Sequence, residues 1–183
     1  MRELSAAEAV ASLVDPARRY LATYIELAPR TAGLYVWWAR LSVVFGVHGT
    51  RAGEAYVYYV GKASSSAGLR GRLATHVKGS ARSSTLRLTL AALGAGSGDV
   101  ARSGASKIAL SPSYETQVSE WIRANMDVSW VECAAPEAIE REVVAALRPP
   151  LNLDLNTGHA DHARVKDARN AMRALAVGWP ARG

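Results

Sequence analysis

The chain has 183 residues, 49% of them hydrophobic and 21% charged, which is typical of one globular domain and excludes a disordered chain. No apolar run reaches about 18 residues, and Glu3, Glu8 and Asp15 interrupt the start of the chain, so we expect a cytoplasmic protein without a signal peptide or membrane span. Cys133 is the single cysteine, which excludes an internal disulfide and a cysteine-based zinc site.

The net charge of +6 is unevenly distributed. Between Glu54 and Asp99 the sequence has no acidic residue and six basic ones, Lys62, Arg70, Arg72, Lys78, Arg82 and Arg87. A concentrated cationic segment is typical of proteins that bind a phosphate backbone. It is equally compatible with a solvated basic face, and charge alone does not separate the two interpretations.

Two helices are predicted at the amino end, over residues 6–14 and 16–28. A capping-box pattern begins at Ser5 and favours the first helix. Asp15 followed by Pro16 is a typical start for the second, because proline is tolerated at the first helical position.

Three strands are predicted from segments rich in aromatic and β-branched residues, at 33–45, 55–61 and 128–133. The first two are joined by a segment that contains glycine turns. The pattern therefore indicates a β-hairpin with a long connection.

Helices account for most of the rest of the chain. Apolar periodicity and proline or glycine boundaries predict helices over residues 69–77, 84–93, 113–126, 136–148 and 161–178. A stretch rich in glycine and serine, residues 94–106, predicts a loop. We therefore predict an α/β (α+β) fold in which a small, central, mainly antiparallel three-stranded sheet is flanked by helices.

Glu140 is the most informative residue of the helix predicted at 136–148. The apolar residues of this helix form one stripe, composed of Ile139, Val143, Val144, Ala146 and Leu147. Glu140 projects within that stripe, so we expect its carboxylate to face inward. An ionised carboxylate in apolar surroundings is costly unless it is compensated. An ion pair with an arginine, the dipole of the helix start or a bound metal would each compensate it.

A second candidate pair lies on the helix predicted at 69–77. Arg72 and His76 are four residues apart and therefore share one helix face. Together they can present a fixed cation and a titratable base to one ligand, although such pairs also occur on exposed helices.

These positions also fit a known family pattern. The tripeptides GLY at 33–35 and YVG at 59–61 resemble the paired signature tripeptides of the GIY-YIG nucleases. The resemblance continues through LRGRLATH at 69–76 and AIEREVVAALRPPLN at 138–152. Over roughly residues 32–152, seven residues match motif positions of the family and occur in the same order as in the family.

The resemblance implies catalytic roles for seven residues, namely Tyr35, Tyr59, Lys62, Arg72, His76, Glu140 and Asn152. Glu140 would hold Mg²⁺, or Mn²⁺, in a one-metal mechanism, and Arg72 would bind the scissile phosphate with Lys62 as a second cation. Tyr35 is the implied general base. Because a phenol titrates at about 10, His76 remains an alternative, either as the acceptor of its proton or as the base itself.

The other implied roles concern orientation and binding. Tyr59 would orient water or phosphate, and Asn152 would fix the turn or the surroundings of Glu140. Four basic residues are predicted to contact nucleic acid, namely Arg70, Lys78, Arg82 and Arg87.

The expected organisation is an N-terminal helical segment at 1–31, a nuclease core at 32–156 and a C-terminal helix at 157–183. The region at about 84–126 is expected to be an insertion, because it does not match the core pattern of the family. We expect an endonuclease that acts on DNA in preference to RNA, away from membranes, as a monomer or a homodimer. A non-catalytic nucleic-acid-binding module on the same fold is the alternative, and a basic structural protein is a third reading.

Overall fold

A computed structural model describes residues 2–64, 66–103 and 107–177 of the protein. Its strands are β1 (Tyr20–Leu21), β2 (Gly33–Ala39), β3 (Val43–Val44), β4 (Val47–His48), β5 (Thr50–Ala52), β6 (Ala55–Ala63), β7 (Val100–Ser103), β8 (Lys107–Leu110) and β9 (Met126–Glu132). Its α-helices are α1 (Ala6–Val14), α2 (Gly68–Lys78), α3 (Thr85–Leu93), α4 (Pro112–Asn125), α5 (Pro136–Leu147) and α6 (His162–Val177). Short 3-10 helices lie at Pro16–Arg18 and Ala22–Leu27.

The central sheet is antiparallel and has five strands in the order β1, β9, β2, β6, β5. The α+β class is as predicted, but the number of strands is wrong, because the sequence predicts only β9, β2 and β6. The two added strands are at the edges and have two and three residues. Such short strands are defined by the partner with which they pair and carry too few residues for an alternating pattern.

Other boundaries also differ from the prediction. The segment 16–28 is not one helix, since two 3-10 helices flank β1, which pairs with β9. The strand predicted over 33–45 ends at Ala39, and the long connection to β6 contains the β3–β4 pair and β5. The loop predicted over 94–106 contains β7, paired with β8. Residues 104–106, and residue 178 at the predicted end of the last helix, lie outside the described residues.

β2 is buried on both faces of the sheet. Tyr35 and Trp37 point into a hydrophobic cluster that includes residues of α2, α3, α4 and α6. Leu34 and Trp38 point into a second cluster, formed with α1 and α5. Successive side chains of a strand alternate between faces, so a strand covered on both sides has an unbroken apolar sequence.

A β-bulge lies where β6 pairs with the middle of β2. The register shifts between Trp37 and Trp38, so Tyr58 is the extra residue of β6. Its carbonyl accepts a hydrogen bond from the backbone N–H of Leu151 at 3.1 Å. The bulge allows the consecutive residues Tyr58 and Tyr59 both to join the cluster that contains Tyr35.

Candidate active site

A cleft of about 480 Å³ lies among residues of β2, β6, α2 and α5. The residues that line it are Tyr35, Tyr59, Gly61, Lys62, Ala63, Ser64, Ala67, Arg72, Glu137 and Glu140. Five of the seven catalytic residues expected from the sequence are therefore brought together. The other two, His76 and Asn152, do not line this cleft, but each contacts the strand or the side chains that do.

Tyr35 lines the cleft with an otherwise buried side chain. Its hydroxyl group hydrogen-bonds with Nε2 of His76 at 2.7 Å and accepts a bond from Nε of Arg72 at 3.2 Å. Gly61 is its direct partner on β6, where a Cβ atom would overlap the Tyr35 hydroxyl group. Burial, followed by the neighbouring Tyr59, raises the pKa of Tyr35 above its ordinary value, and Arg72 opposes that rise.

His76 lies behind Tyr35 and is fully buried. Its Nδ1 atom hydrogen-bonds with the hydroxyl group of Ser84 at 2.7 Å. Burial, followed by the charges of Arg72 and Arg87, lowers the pKa of His76 well below its ordinary value. The imidazole is therefore neutral near pH 7, and it can reach a substrate only through the Tyr35 hydroxyl group.

The hydrogen bonds around Ser84 favour one tautomer of His76. Ser84 caps α3, and its hydroxyl oxygen already accepts a bond from the backbone N–H of Arg87 at 3.1 Å. If Nδ1 of His76 also donated to that oxygen, the buried Ser84 O–H would have no acceptor among the described residues. When Ser84 donates to Nδ1 instead, the Nε2–H of His76 donates to Tyr35. The Tyr35 oxygen then accepts two N–H groups, which favours the ionised phenolate.

Arg72 is fixed on the wall of the cleft by two hydrogen bonds. Besides Tyr35, its guanidinium donates through Nη1 to the carbonyl group of Ser83 at 2.8 Å. The ring of Tyr59 lies 6.5 Å from that of Tyr35, measured between centroids. Burial raises the pKa of Tyr59 as well. The cleft therefore combines two phenols, which are neutral near pH 7, with one positioned cation.

Glu140 faces the cleft from α5 and forms an ion pair with Lys62. The distance between Oε2 of Glu140 and Nζ of Lys62 is 2.8 Å. The Glu140 side chain is 18% exposed and that of Lys62 is 43% exposed. The carboxylate is thus compensated by a lysine, and not by the arginine that a structural pair was expected to supply.

The apolar stripe of α5 is narrower than the sequence predicts. Its buried members are Val143, Val144 and Leu147. Ala146 is exposed, whereas Glu140 lies between Leu147 and Val144 around the helix axis and is half-buried. Glu137, which the helical count assigns to a flank, also lines the cleft. Its spacing of three residues from Glu140 is the signal that could have identified it, because such residues share a helix face.

Asn152 acts on the backbone of β6. Its side-chain oxygen accepts a bond from the N–H of Val60 at 2.9 Å, and its amide nitrogen donates to the carbonyl group of Val60 at 2.8 Å. These two bonds join the turn that follows α5 to β6, and the expected role of Asn152 at the turn or beside Glu140 stays a prediction. Asn152 holds the strand between Tyr59 and Gly61, and so positions the residues on either side of Val60.

The four basic residues predicted to contact nucleic acid have different surroundings. Lys78 and Arg82 are exposed. The Nε atom of Arg70 donates to the carbonyl group of Ala28 at 2.7 Å, which ties the start of α2 to the preceding segment.

Arg87 is fully buried, so its predicted contact with nucleic acid is wrong. Its guanidinium forms an ion pair with Glu115 of α4 at 2.6 Å. It also donates to the carbonyl group of His76 at 3.0 Å and to the hydroxyl group of Ser119 at 2.9 Å. Arg87 therefore joins α2, α3 and α4, and a cation that satisfies these buried groups is not accessible to a phosphate.

Among the described residues, no three His, Cys, Asp or Glu side chains are grouped so that they could hold a metal ion. Whether a metal fits the cleft therefore depends on Glu140. Such a centre does not suit an ion that is enclosed by protein ligands. It does suit Mg²⁺, which keeps several of its waters and is usually bound by one or two carboxylates. Glu140, with Glu137 on the same wall, therefore fits a hydrated divalent ion in this cleft.

Carboxylates, a positioned guanidinium, a lysine and phenols around one open cleft are groups that a phosphodiester hydrolase uses. The sequence model of the GIY-YIG catalytic domain matches residues 33–173. The chain belongs to this family, which confirms the resemblance, and the family indicates nuclease activity. No curated protein and no solved structure gives a significant match. Among the described residues, we find no helix with the length and apolarity needed to cross a membrane.

Proposed function

We propose that this protein is an endonuclease that hydrolyses phosphodiester bonds in DNA with the help of Mg²⁺ or Mn²⁺. The observation that supports the proposal is the convergence of Tyr35, Arg72 and Glu140 on one cleft. DNA is preferred to RNA because the restriction, repair and homing members of the resembled family act on DNA. One such cleft makes one nick, so a double-strand cut requires a second protomer or a second event.

Arg72 is proposed to bind the scissile phosphate. Its bonds to Tyr35 and Ser83 hold the guanidinium before a substrate arrives. A cation that is already in position stabilises the negative charge that develops in the transition state without a reorganisation cost. Lys62 lines the same cleft and is proposed as the second cation.

Glu140 is proposed to hold the metal through its carboxylate, with Glu137 next to it. When bound, a divalent ion lowers the pKa of a water molecule and neutralises charge on the phosphate. The ion pair between Glu140 and Lys62 places the lysine beside the carboxylate, where it can turn towards a substrate phosphate.

Tyr35 is proposed as the general base, in its phenolate form. The Nε–H of Arg72 and, in the tautomer that Ser84 favours, the Nε2–H of His76 donate to its oxygen and stabilise that charge. His76 is then a positioning residue and not the base, because it is buried and does not line the cleft. Tyr59 orients water or phosphate, and Asn152 keeps Tyr59 in place through Val60.

The alternative is a nucleic-acid-binding module without catalytic activity. One observation favours it, namely that Lys62 already compensates the Glu140 carboxylate without any metal. The two candidates differ in a single measurable property, which is metal-dependent cleavage.

Glu140→Ala tests the proposal. We expect this variant to lose Mg²⁺-dependent nicking of plasmid DNA to below detection, while its folding and its DNA binding remain intact. Glu142→Ala is the matched control, because Glu142 is exposed on the same helix and does not line the cleft. If the wild-type protein cuts neither DNA nor RNA over a broad range of metals and pH, the binding module replaces the nuclease.

A further inference from the structure

A second concave surface lies beside the catalytic cleft. One depression of about 380 Å³ is lined by residues 81–85, by β8 and by α6. Another of about 390 Å³ is lined by α6 and by residues such as Leu153 and Thr157. Both depressions are lined by Arg169 and Arg173, so they form one continuous surface. We call it the basic groove, after its cations Arg82, Lys107, Lys166, Arg169 and Arg173.

The charge of this groove is strongly unbalanced. Five cations line it, and Asp154 is the carboxylate among the lining residues. Arg82, Lys107, Lys166 and Arg173 are exposed, so their charges face solvent in the absence of a partner. A groove that is lined by charges of one sign concentrates the electrostatic potential, and a positive groove attracts a polyanion.

Arg169 provides an independent indication of a ligand. Its Nε atom is buried, and within the described part of the chain it has no hydrogen-bond partner. Buried polar groups are normally satisfied, and an exception calls for an explanation. Burial, followed by the charge of Arg173, lowers the pKa of Arg169. An anion in the groove would offset the repulsion between the two arginines.

The groove is directly connected to the catalytic cleft. Ser83 lines the groove, and its carbonyl group accepts the hydrogen bond from Arg72 of the cleft. On the other side, the positive charge of Arg169 acts on the Tyr59 hydroxyl group, whose pKa it lowers against the effect of burial. The groove therefore lies next to Arg72, the residue proposed to bind the scissile phosphate.

We propose that the basic groove binds the sugar-phosphate backbone of the substrate strand that flanks the scissile phosphate. This inference rests on the proposed function, because it takes the cleft as the position of the reacting phosphate. Apart from Asp154, the charged side chains of the groove are long and cationic, so we expect them to bind the backbone and to contribute affinity without reading base sequence. The C-terminal helix α6 thereby acquires a role in substrate binding that its sequence pattern does not indicate.

Binding to labelled duplex DNA tests the groove independently of cleavage. All variants carry Glu140→Ala, and anisotropy is measured between 50 and 200 mM salt, a range over which phosphate contacts dominate the change in affinity. R169A/R173A is compared with the matched control R51A/R123A, whose arginines are exposed and line neither the cleft nor the groove. We expect the groove variant to bind about tenfold more weakly, and its salt slope to fall by about 1.8, or 0.9 for each lost phosphate contact.

The outcomes separate this inference from the proposed function. An unchanged affinity and salt slope in R169A/R173A would overturn the proposal that the groove binds the DNA backbone, even if the wild-type protein cuts DNA. A loss that is specific to the groove variant supports it, even if no cleavage is found. If R169A/R173A fails to fold, the exposed Arg173→Ala alone is expected to lower the slope by about 0.9. R169K/R173K keeps both charges and is expected to retain most of the slope.

Discussion

The cleft around Tyr35 and the neighbouring basic groove hold their polar side chains in opposite ways. In the cleft, Tyr35 and Arg72 are fixed by hydrogen bonds to buried partners, and Glu140 is paired with a lysine. In the groove, four of the five cations are exposed, and one carboxylate opposes them. The first arrangement is rigid and suits chemistry, whereas the second supplies charge and suits binding.

This difference separates two measurable quantities. Substitution of Tyr35 or Glu140 in the cleft should change the rate of the chemical step and leave affinity nearly unchanged, because the proposed roles of these two groups lie in the reaction and not in binding the DNA backbone. Substitutions in the groove should change affinity and its salt dependence, and should leave the rate at saturating DNA unchanged. The four predictions that follow break or sharpen the comparison of the two regions.

Tyr35→Phe should have the largest effect. Loss of the proposed general base should reduce the single-turnover cleavage rate by about 10²–10⁴-fold at saturating DNA. The dissociation constant should change by less than about twofold, since the removed hydroxyl group bonds within the protein. Tyr56→Phe is the control, because Tyr56 lies on β6 and does not line the cleft.

The pH dependence of the wild-type rate checks the same assignment. Because burial raises the pKa of Tyr35 above its ordinary value, the phenolate is the minor form at neutral pH. Its fraction rises with pH, so the rate should increase about tenfold per pH unit across the neutral range. His76 has a pKa well below its ordinary value and is already neutral there. A rate that stays flat above pH 6.5 would therefore point to His76 and contradict Tyr35.

Arg87→Ala should mainly affect stability. Its removal leaves Glu115 without its ion-pair partner and the carbonyl group of His76 without a donor. Breaking a buried ion pair costs about 3–5 kcal/mol, which should appear as a lower urea midpoint. Arg82→Ala, in the exposed groove only five residues earlier, should change the free energy of unfolding by less than about 0.5 kcal/mol. Equal effects of the two substitutions would contradict the distinction between buried and exposed arginines.

Ser84→Ala should have the smallest effect on cleavage. Without the Ser84 hydroxyl group, His76 can adopt the tautomer that carries its hydrogen on Nδ1 and accepts a hydrogen bond at Nε2, and the Tyr35 phenolate then loses one donor. We expect the pKa of Tyr35 to rise further and the rate near pH 7 to fall about tenfold, with recovery at higher pH.

Ser111→Ala is the matched control for this substitution. Ser111 caps α4 as Ser84 caps α3, so both variants should lose about 1 kcal/mol of stability. Only Ser84 contacts the histidine. A similar loss of rate in both variants would show that the effect is structural.

The strands and helices that carry the cleft could be predicted from the sequence, for a local reason. β2 and β6 are aromatic and β-branched, and α5 is amphipathic between proline boundaries, so their patterns are contained within each segment. Tyr35, Arg72 and Glu140 could be assigned because each stands in a motif on one of these elements. The short strands β1 and β5 could not, since only pairing with distant residues defines them.

The remaining features depend on contacts between distant segments. Arg82 and Arg87 occur in the same basic segment. Arg87 is buried and pairs with Glu115 of α4, whereas Arg82 is exposed. Ser84 contacts His76 because α3 starts beside α2, and no local signal marks it. Arg169 joins the groove only through the packing of α6 against α3 and β7.

The Asn152 side chain has a consequence for solubility. β5 pairs with β6 only as far as Val57, and the next backbone groups would otherwise form an open sheet edge. Asn152 and Leu151 bond to that edge at Val60 and Tyr58. Exposed strand edges invite pairing with other chains, so these contacts also protect the protein against aggregation through β6.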